Sequence, residues 1–199
     1  MLVKVIKPGI LVRNNLGMIL QASSTVTLVQ GEGHNIIVDT GLPRESQEII
    51  ANLSARNLSV DDIDLVINTH LHGDHMGNNG MFSEAEFIAH AKEFPARLPN
   101  VKVIEGDYEV CKNVRTIETP GHSHGSVSVV VEVPKEGKTY VIAGDALPVR
   151  DNYLKWVPPG IHYDRDIALA SMERIVKLAD IVVPGHDFPF EINRNQKLQ

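Results

Sequence analysis

THLHGDH (69–75) packs three of the chain's nine histidines and an aspartate into seven residues. His70 and His72 are two apart, a spacing that puts both side chains on one side of an extended segment and on different faces of a helix. Gly73 then lets the backbone turn freely, and Asp74 and His75 follow from that turn. Neutral imidazole and carboxylate both suit zinc and related first-row metals. The stretch therefore reads as a metal-binding loop, distinct from the helical H-E-x-x-H arrangement whose histidines stand four apart. It directly follows IDLVIN (63–68), a near-continuous apolar run that predicts a buried strand.

Working outward, the same pattern recurs three times: an apolar strand, a glycine, then a residue of ligand type. It appears at RTIETP-Gly121-His122, YVIA-Gly144-Asp145 and DIVVP-Gly185-His186. Loops at strand ends are where sites sit on a rigid scaffold. The four strand ends offer His70, His72, Asp74, His75, His122, Asp145 and His186. One tetrahedral zinc needs only four ligands, so the set matches two metals that share a bridging carboxylate. Taken singly, His122, Asp145 or His186 would read as an ordinary turn residue; jointly they read as a site.

The remaining chain predicts alternating strands and helices. TVTLVQ (25–30) and NIIVDTG (35–41) flank a GEG turn as a hairpin. Pro43 opens a helix to about Asn57, and SEAEFIAHAKEF (83–94) is helix-prone. Strands follow in KVIEG (102–106), from Tyr108 to Val114, and in NVRTIETPGH, SVSVVVEV and KTYVIAGD. DRDIALASMERIVKLA (164–179) has helical periodicity. No repeat, linker or low-complexity tract divides the 199 residues, so one domain, 1–199, is expected. The mixture predicts an α+β or α/β class with both sheet faces covered.

Composition excludes several classes. Hydrophobic content of 43% and charged content of 22% are globular values. A net charge of −6 disfavours a nucleic-acid track. The single cysteine, Cys111, allows no internal disulfide and no thiolate metal cluster. MLVKVIKPGILVR lacks the apolar core of a signal peptide, and VSVVVEV (127–133) is far too short to span a bilayer. A cytoplasmic protein with no membrane partner and a small-molecule substrate is expected.

T-H-x-H-x-D-H, then G-H, G-D and G-H in that order, resembles the metallo-β-lactamase superfamily. The likeness runs from the first hairpin to His186. It implies a four-layer αβ/βα sandwich of two facing mixed β-sheets with helices on the outer faces, and a metal site at one edge. It also implies two divalent ions, zinc first, with iron or manganese as alternatives. His70, His72 and His122 would bind one ion, Asp74, His75 and His186 the other, and Asp145 would bridge. Asp39, in VDTG, matches an early acidic motif and would support a ligand from behind. HMGNNGMFSEAEFIAH (75–90) and ADIVVPGHDFPF (179–190) are more similar to a smaller group, the metallo-β-lactamase domain-containing protein 1 type. Many relatives carry a second glycine where Asn78 stands.

The resemblance implies a hydrolase in which a metal-bridging hydroxide attacks an ester, thioester, lactone, amide or phosphodiester, with Asp74 and Asp145 as the catalytic carboxylates. Alternatives are a mononuclear iron oxidoreductase similar to the persulfide dioxygenases and a small phosphodiesterase or ribonuclease. Thirteen residues follow His186, so the C-terminal helical domain of glyoxalase II is not expected. Intervals of 23 and 41 positions, from His122 to Asp145 and on to His186, leave no room for a β-CASP insertion. His124, two after His122, could touch substrate or support a ligand. ALPVRDNYLKWVPPG (146–160) leaves a ligand loop with little helical pattern and is expected to line the mouth. Arg150, Tyr153, Lys155 and Trp156 are its candidate contacts, against the alternative of a surface loop with Trp156 packed on the core.

Overall fold

A computed structural model of the chain describes residues 1–95, 98 and 100–194. Its first sheet has the strand order β1 (Leu2–Lys7), β4 (Val26–Gly31), β5 (His34–Val38), β6 (Leu65–Ile67), β7 (Glu86–His90), β8 (Val101–Ile104). The second has the order β14 (Phe190–Glu191), β13 (Ile181–Pro184), β12 (Lys138–Gly144), β11 (Val127–Val133), β10 (Val114–Glu118), β9 (Tyr108–Cys111). β2 (Ile10–Arg13) and β3 (Ile19–Ser23) form a separate hairpin. The helices are α1 (Ser46–Ser54), the short α2 (Gly73–Met76), α3 (Arg150–Lys155) and α4 (Arg165–Leu178).

Period-two alternation sorts the apolar side chains into three cores. Val29, Ile36, Val38, Leu65, Ile67 and Ile88 of the first sheet meet Val129, Val131, Ile142 and Val183 of the second in the central one. Their neighbours point the other way. Leu28, Ile37, Val66 and Phe87 pack with Ile49 and Leu53 of α1. Val130, Val141 and Val182 pack with Ile175 and Val176 of α4 and with Tyr153 of α3. Layers therefore run helix, sheet, sheet, helix, the expected mixed-sheet sandwich. The metallo-β-lactamase reading of the sequence required that order. On α4 the buried Ala168, Ser171, Met172, Ile175 and Val176 recur at three and four. The Asp164 carboxylate caps its start by accepting from the Asp166 and Ile167 amides.

Strand direction gathers the ligand loops. β5, β6, β7 and β8 are mutually parallel. β11 is antiparallel to both β10 and β12, and β12 is parallel to β13. β10, β12 and β13 consequently point the same way, and their carboxyl ends share one edge. The edges of the two sheets are tied there by the Val127 amide, which donates to the Thr69 carbonyl at 2.8 Å.

Two expectations are corrected. Within 83–94 the chain forms β7 and a short 3-10 turn, Ala91–Glu93, rather than a helix. Glu and Ala favour helices, but Phe87, Ile88 and Ala89 are all buried, on both faces of the sheet. Pairing with β6 and β8 outweighs local preference. Conversely, 146–160 contains α3, whose Asn152 side chain accepts from the Val149 amide at its start. The predicted 43–57 helix is a 3-10 turn, Pro43–Glu45, continued by α1 to Ser54. Among the described residues, no helix is long and apolar enough to cross a membrane.

Candidate metal centre

All seven predicted ligands converge at the shared edge. His70, His72 and His122 form one group of donors, His70, His75 and Asp145 a second, and Asp74, His75 and His186 a third, each within 4.8 Å of one another. In the first group His70 Nε2 lies 3.1 Å and His122 Nε2 2.9 Å from His72 Nδ1. Donors around a tetrahedral zinc at 2.0–2.1 Å stand about 3.4 Å apart, so the three nitrogens already nearly span one coordination sphere. Asp145 sits between the groups. Its Oδ2 is 3.5 Å from His122 Nε2, and its Oδ1 is 3.1 Å from His186 Nε2 and 3.4 Å from His75 Nε2. Asp74 Oδ2 is 3.7 Å from His186 Nε2.

The far nitrogens are held from behind, which sets the tautomers. His122 Nδ1 donates to the Ile161 carbonyl at 2.8 Å and His186 Nδ1 to the Ser23 carbonyl at 2.9 Å. His75 Nδ1 donates to Asp39 Oδ2 at 2.8 Å. The Thr69 hydroxyl donates to the same oxygen, and its own oxygen faces His70 Nδ1 at 3.2 Å. Each arrangement turns Nε2 toward the centre. Asp39 also accepts from the Thr69 amide and takes a left-handed φ of 56°, a backbone region that Asp and Asn tolerate. Gly144 has φ +50°, and a Cβ there would strike Thr69, so glycine lets β12 pass close behind the ligand loop.

Two buried atoms test whether this cage suits metal. His75 Nε2 and Asp145 Oδ1 lie 3.4 Å apart, within ion-pair distance, yet neither has a well-formed hydrogen bond, and a buried polar atom left short of one is costly. Both face the ligand groups, where a cation would satisfy them, so the residues fit divalent ions. Without metal, their electrostatics are strained. Burial would lower the His75 pKa, but Asp39 and Asp145 hold it well above the usual histidine value. His186 is raised because Asp145 outweighs its burial. Burial pushes His70 well below the ordinary value and lowers His122, with neighbouring histidines adding to both. Against its burial, Asp145 is held well below the usual carboxylate range by His75 and His186.

A cleft of about 140 Å³ opens over the centre. Its floor is His72, Asp74, His122, Asp145 and His186, and its walls include Leu11, Ile19, Ala22, Pro148, Pro159 and Ile161. The four candidate contacts from 146–160 do not line it. Tyr153 is buried against α4 and its hydroxyl donates to the Asn193 carbonyl. Trp156 packs on the same core, and Lys155 pairs with Asp151 at 2.6 Å. Arg150 lies over the Phe190 ring, 5.7 Å from its centroid. α3 turns these residues away, and the prolines and Ile161 at the segment's edges face the cleft instead. His124 is exposed and stacks flat on Tyr163, with ring centroids 4.0 Å apart.

Several contributors carried no sequence signal. The supporting Ser23 and Ile161 groups are backbone carbonyls, which no side-chain pattern reveals. Glu93 accepts from the Leu71 amide at 3.0 Å, the Ser123 hydroxyl at 2.6 Å and the Gly125 amide at 2.9 Å, clamping two ligand loops together. The departure at Asn78 is buried, and its amide donates to the Thr40 and Leu42 carbonyls at 2.7 Å each. It braces the loop after Asp39.

Residues 21–186 match the Metallo-beta-lactamase superfamily. The chain is 43% identical over 186 residues to a Methanocaldococcus jannaschii protein named "Probable metallo-hydrolase", covering 94% of this chain and 87% of that one. It is 31% identical to the metallo-beta-lactamase domain-containing protein 1 of Xenopus laevis, covering 92% of this chain and 78% of that one. A solved N-acyl homoserine lactone hydrolase, with N-hexanoyl-L-homoserine bound at its catalytic metal centre, superposes with a TM-score of 0.72 at 30% identity. That match covers 86% of this chain and 84% of the other.

Proposed function

The chain belongs to the metallo-beta-lactamase superfamily, as a metal-dependent hydrolase, and we propose from that premise that it works with two divalent ions on small acyl or phosphoester substrates. The observation that carries this reading is the convergence of three donor groups on the buried His75 Nε2 and Asp145 Oδ1, neither of which has a well-formed hydrogen bond. His70, His72 and His122 would hold one ion, and Asp74, His75 and His186 the other. Asp145 would reach both, since Oδ2 lies 3.5 Å from His122 Nε2 and 3.3 Å from His186 Nε2, and Oδ1 lies 3.4 Å from His75 Nε2. When bound, such a pair supplies a water with a pKa near 7 and a Lewis acid for the substrate's oxygen.

The chain's own residues do the rest. Asp74 lines the cleft beside His186 and can take the proton released by the attacking water. The hydrogen bonds behind His75, His122 and His186 keep those rings from rotating as charge develops. Leu11, Ile19 and Ile161 exclude water from the apolar side of the substrate. No serine or cysteine is among the described cleft residues, and the scheme needs no protein nucleophile. The lactone-hydrolase likeness puts lactones first in the screen, with thioesters, esters and phosphodiesters after.

The test is turnover of that panel by zinc- or manganese-loaded protein, beside Asp145→Ala and His122→Ala. Both variants should lose activity and bound metal while circular dichroism stays close to wild type. Wild-type turnover in either would overturn the proposed site.

A further inference from the structure

Arg13 ends β2 and lines the cleft together with Leu11, Ile19 and Ala22 of the same hairpin. It is the only lysine or arginine among the described cleft residues. Its position is built. Nη1 donates to the Gly17 carbonyl at 2.8 Å, across the turn of the hairpin. The guanidinium lies against Gly160, where a Cβ would stand 2.9 Å from Nη2. Gly160 therefore leaves the space that the guanidinium fills. The next residue, Ile161, supplies the carbonyl that holds His122, so Arg13 is set in register with the donor groups.

The charge at this place is uncompensated. Four of the eight described arginines, Arg115, Arg165, Arg174 and Arg194, lie within ion-pair distance of a carboxylate; of the other four, Arg13, Arg44, Arg56 and Arg150, only Arg13 lines the cleft. No described carboxylate lies within that distance of Arg13. Among the described residues, the only carboxylates lining the cleft are Asp74 and Asp145, which the ligand set employs. The other walls are apolar. An arginine fixed by one N–H keeps further N–H groups free, in a planar fork that matches carboxylate and phosphate oxygens.

We propose that Arg13 binds an anionic group of the substrate, so that the chain hydrolyses small acyl compounds carrying a carboxylate or phosphate away from the scissile bond. The proposal rests on the hydrolase reading for its reaction and on the cleft alone for its recognition. Neutral long-chain acyl substrates would leave the guanidinium unused.

Two measurements separate those foundations. The first is kcat/KM for paired thioesters of equal length, one ending in a carboxylate and one in a methyl ester, on metal-loaded wild type, Arg13→Gln and Arg13→Lys. Wild type should favour the anionic member by about tenfold, the scale of one charge-assisted contact. In Arg13→Gln the ratio should fall to within about twofold of unity, and Arg13→Lys should keep part of it. The second needs no turnover: calorimetric binding of glutarate against butyrate. Both can place one carboxylate on the metals, and only glutarate has a second. The glutarate preference should vanish in Arg13→Gln. Turnover with a charge preference that survives Arg13→Gln overturns the role of Arg13 and leaves the hydrolase standing. Absence of turnover with a glutarate preference lost in Arg13→Gln overturns the hydrolase reading and supports the anion site. A wild type without preference in either assay overturns the proposal.

Discussion

Asp39→Asn isolates the support behind the candidate metal ligands. Asp39 accepts three hydrogen bonds of 2.8 Å, from the Thr69 amide, the Thr69 hydroxyl and His75 Nδ1. Asparagine keeps the shape and tolerates the left-handed φ of 56°, so the backbone should stay in place. Its NH2 group must nonetheless face one of those donors, whichever way the amide is turned. A buried bond to a charged acceptor is worth about 1.5–3 kcal/mol. Loss of such a partner behind a ligand lowers metal affinity about 10–100-fold, or roughly 1.4–2.7 kcal/mol. The two figures agree. One opposing effect has a definite sign. Asp39 is among the groups that raise the His75 pKa in the metal-free protein, so its removal also weakens the proton that competes with metal. The affinity loss should therefore grow with pH as that competition fades. Chelator-competition titration of zinc at two pH values, with circular dichroism as a check on folding, reads both. An intact fold with affinity within twofold of wild type at high pH would refute the reasoning.

Glu93→Gln should lower zinc affinity by about tenfold, because an amide cannot accept from Leu71, Ser123 and Gly125 together; an unchanged chelator titration would remove Glu93 from the site's support. Phe87→Ala should cost about 3–5 kcal/mol in urea unfolding, since Phe87 is 1% exposed in the core beneath α1; a loss under about 1 kcal/mol would contradict the strand at 86–90. Zinc uptake at neutral pH should release at least one proton per chain, because His75 is held protonated well above the usual histidine value without metal and must lose Nε2–H to bind, and His186 is raised as well. The sign requires affinity to fall as the solution is acidified. Metal uptake with no proton release in lightly buffered solution would contradict that charge state.

The convergence of the seven candidate ligands was legible because each combines a chemical type with a place in a loop that follows an apolar strand. Strand direction then does the gathering, and β10, β12 and β13 deliver their ends to one edge with little help from loop detail. The apolar runs likewise announced most strands of both sheets. Residues 83–94 were misleading because a strand buried on both faces carries no alternation, and its Glu and Ala residues favour a helix. The 146–160 segment misled differently: its aromatic and basic residues suggested a mouth, yet α3 turns Tyr153 and Trp156 into the core. The hairpin of β2 and β3 was invisible as a cleft wall. Ile10, Val12 and Ile19 are more exposed than buried-strand residues, and only tertiary placement brings Leu11 and Arg13 over the ligands. Backbone carbonyls such as Ser23 and Ile161 leave no trace in a sequence at all.

Seven residues are proposed to hold two ions, with Asp145 within reach of both. Elemental analysis of freshly purified protein tests this most directly. Two zinc or manganese ions per chain are expected, falling to one or fewer in Asp145→Ala. A single iron per chain in the wild type, unchanged by Asp145→Ala, would contradict it.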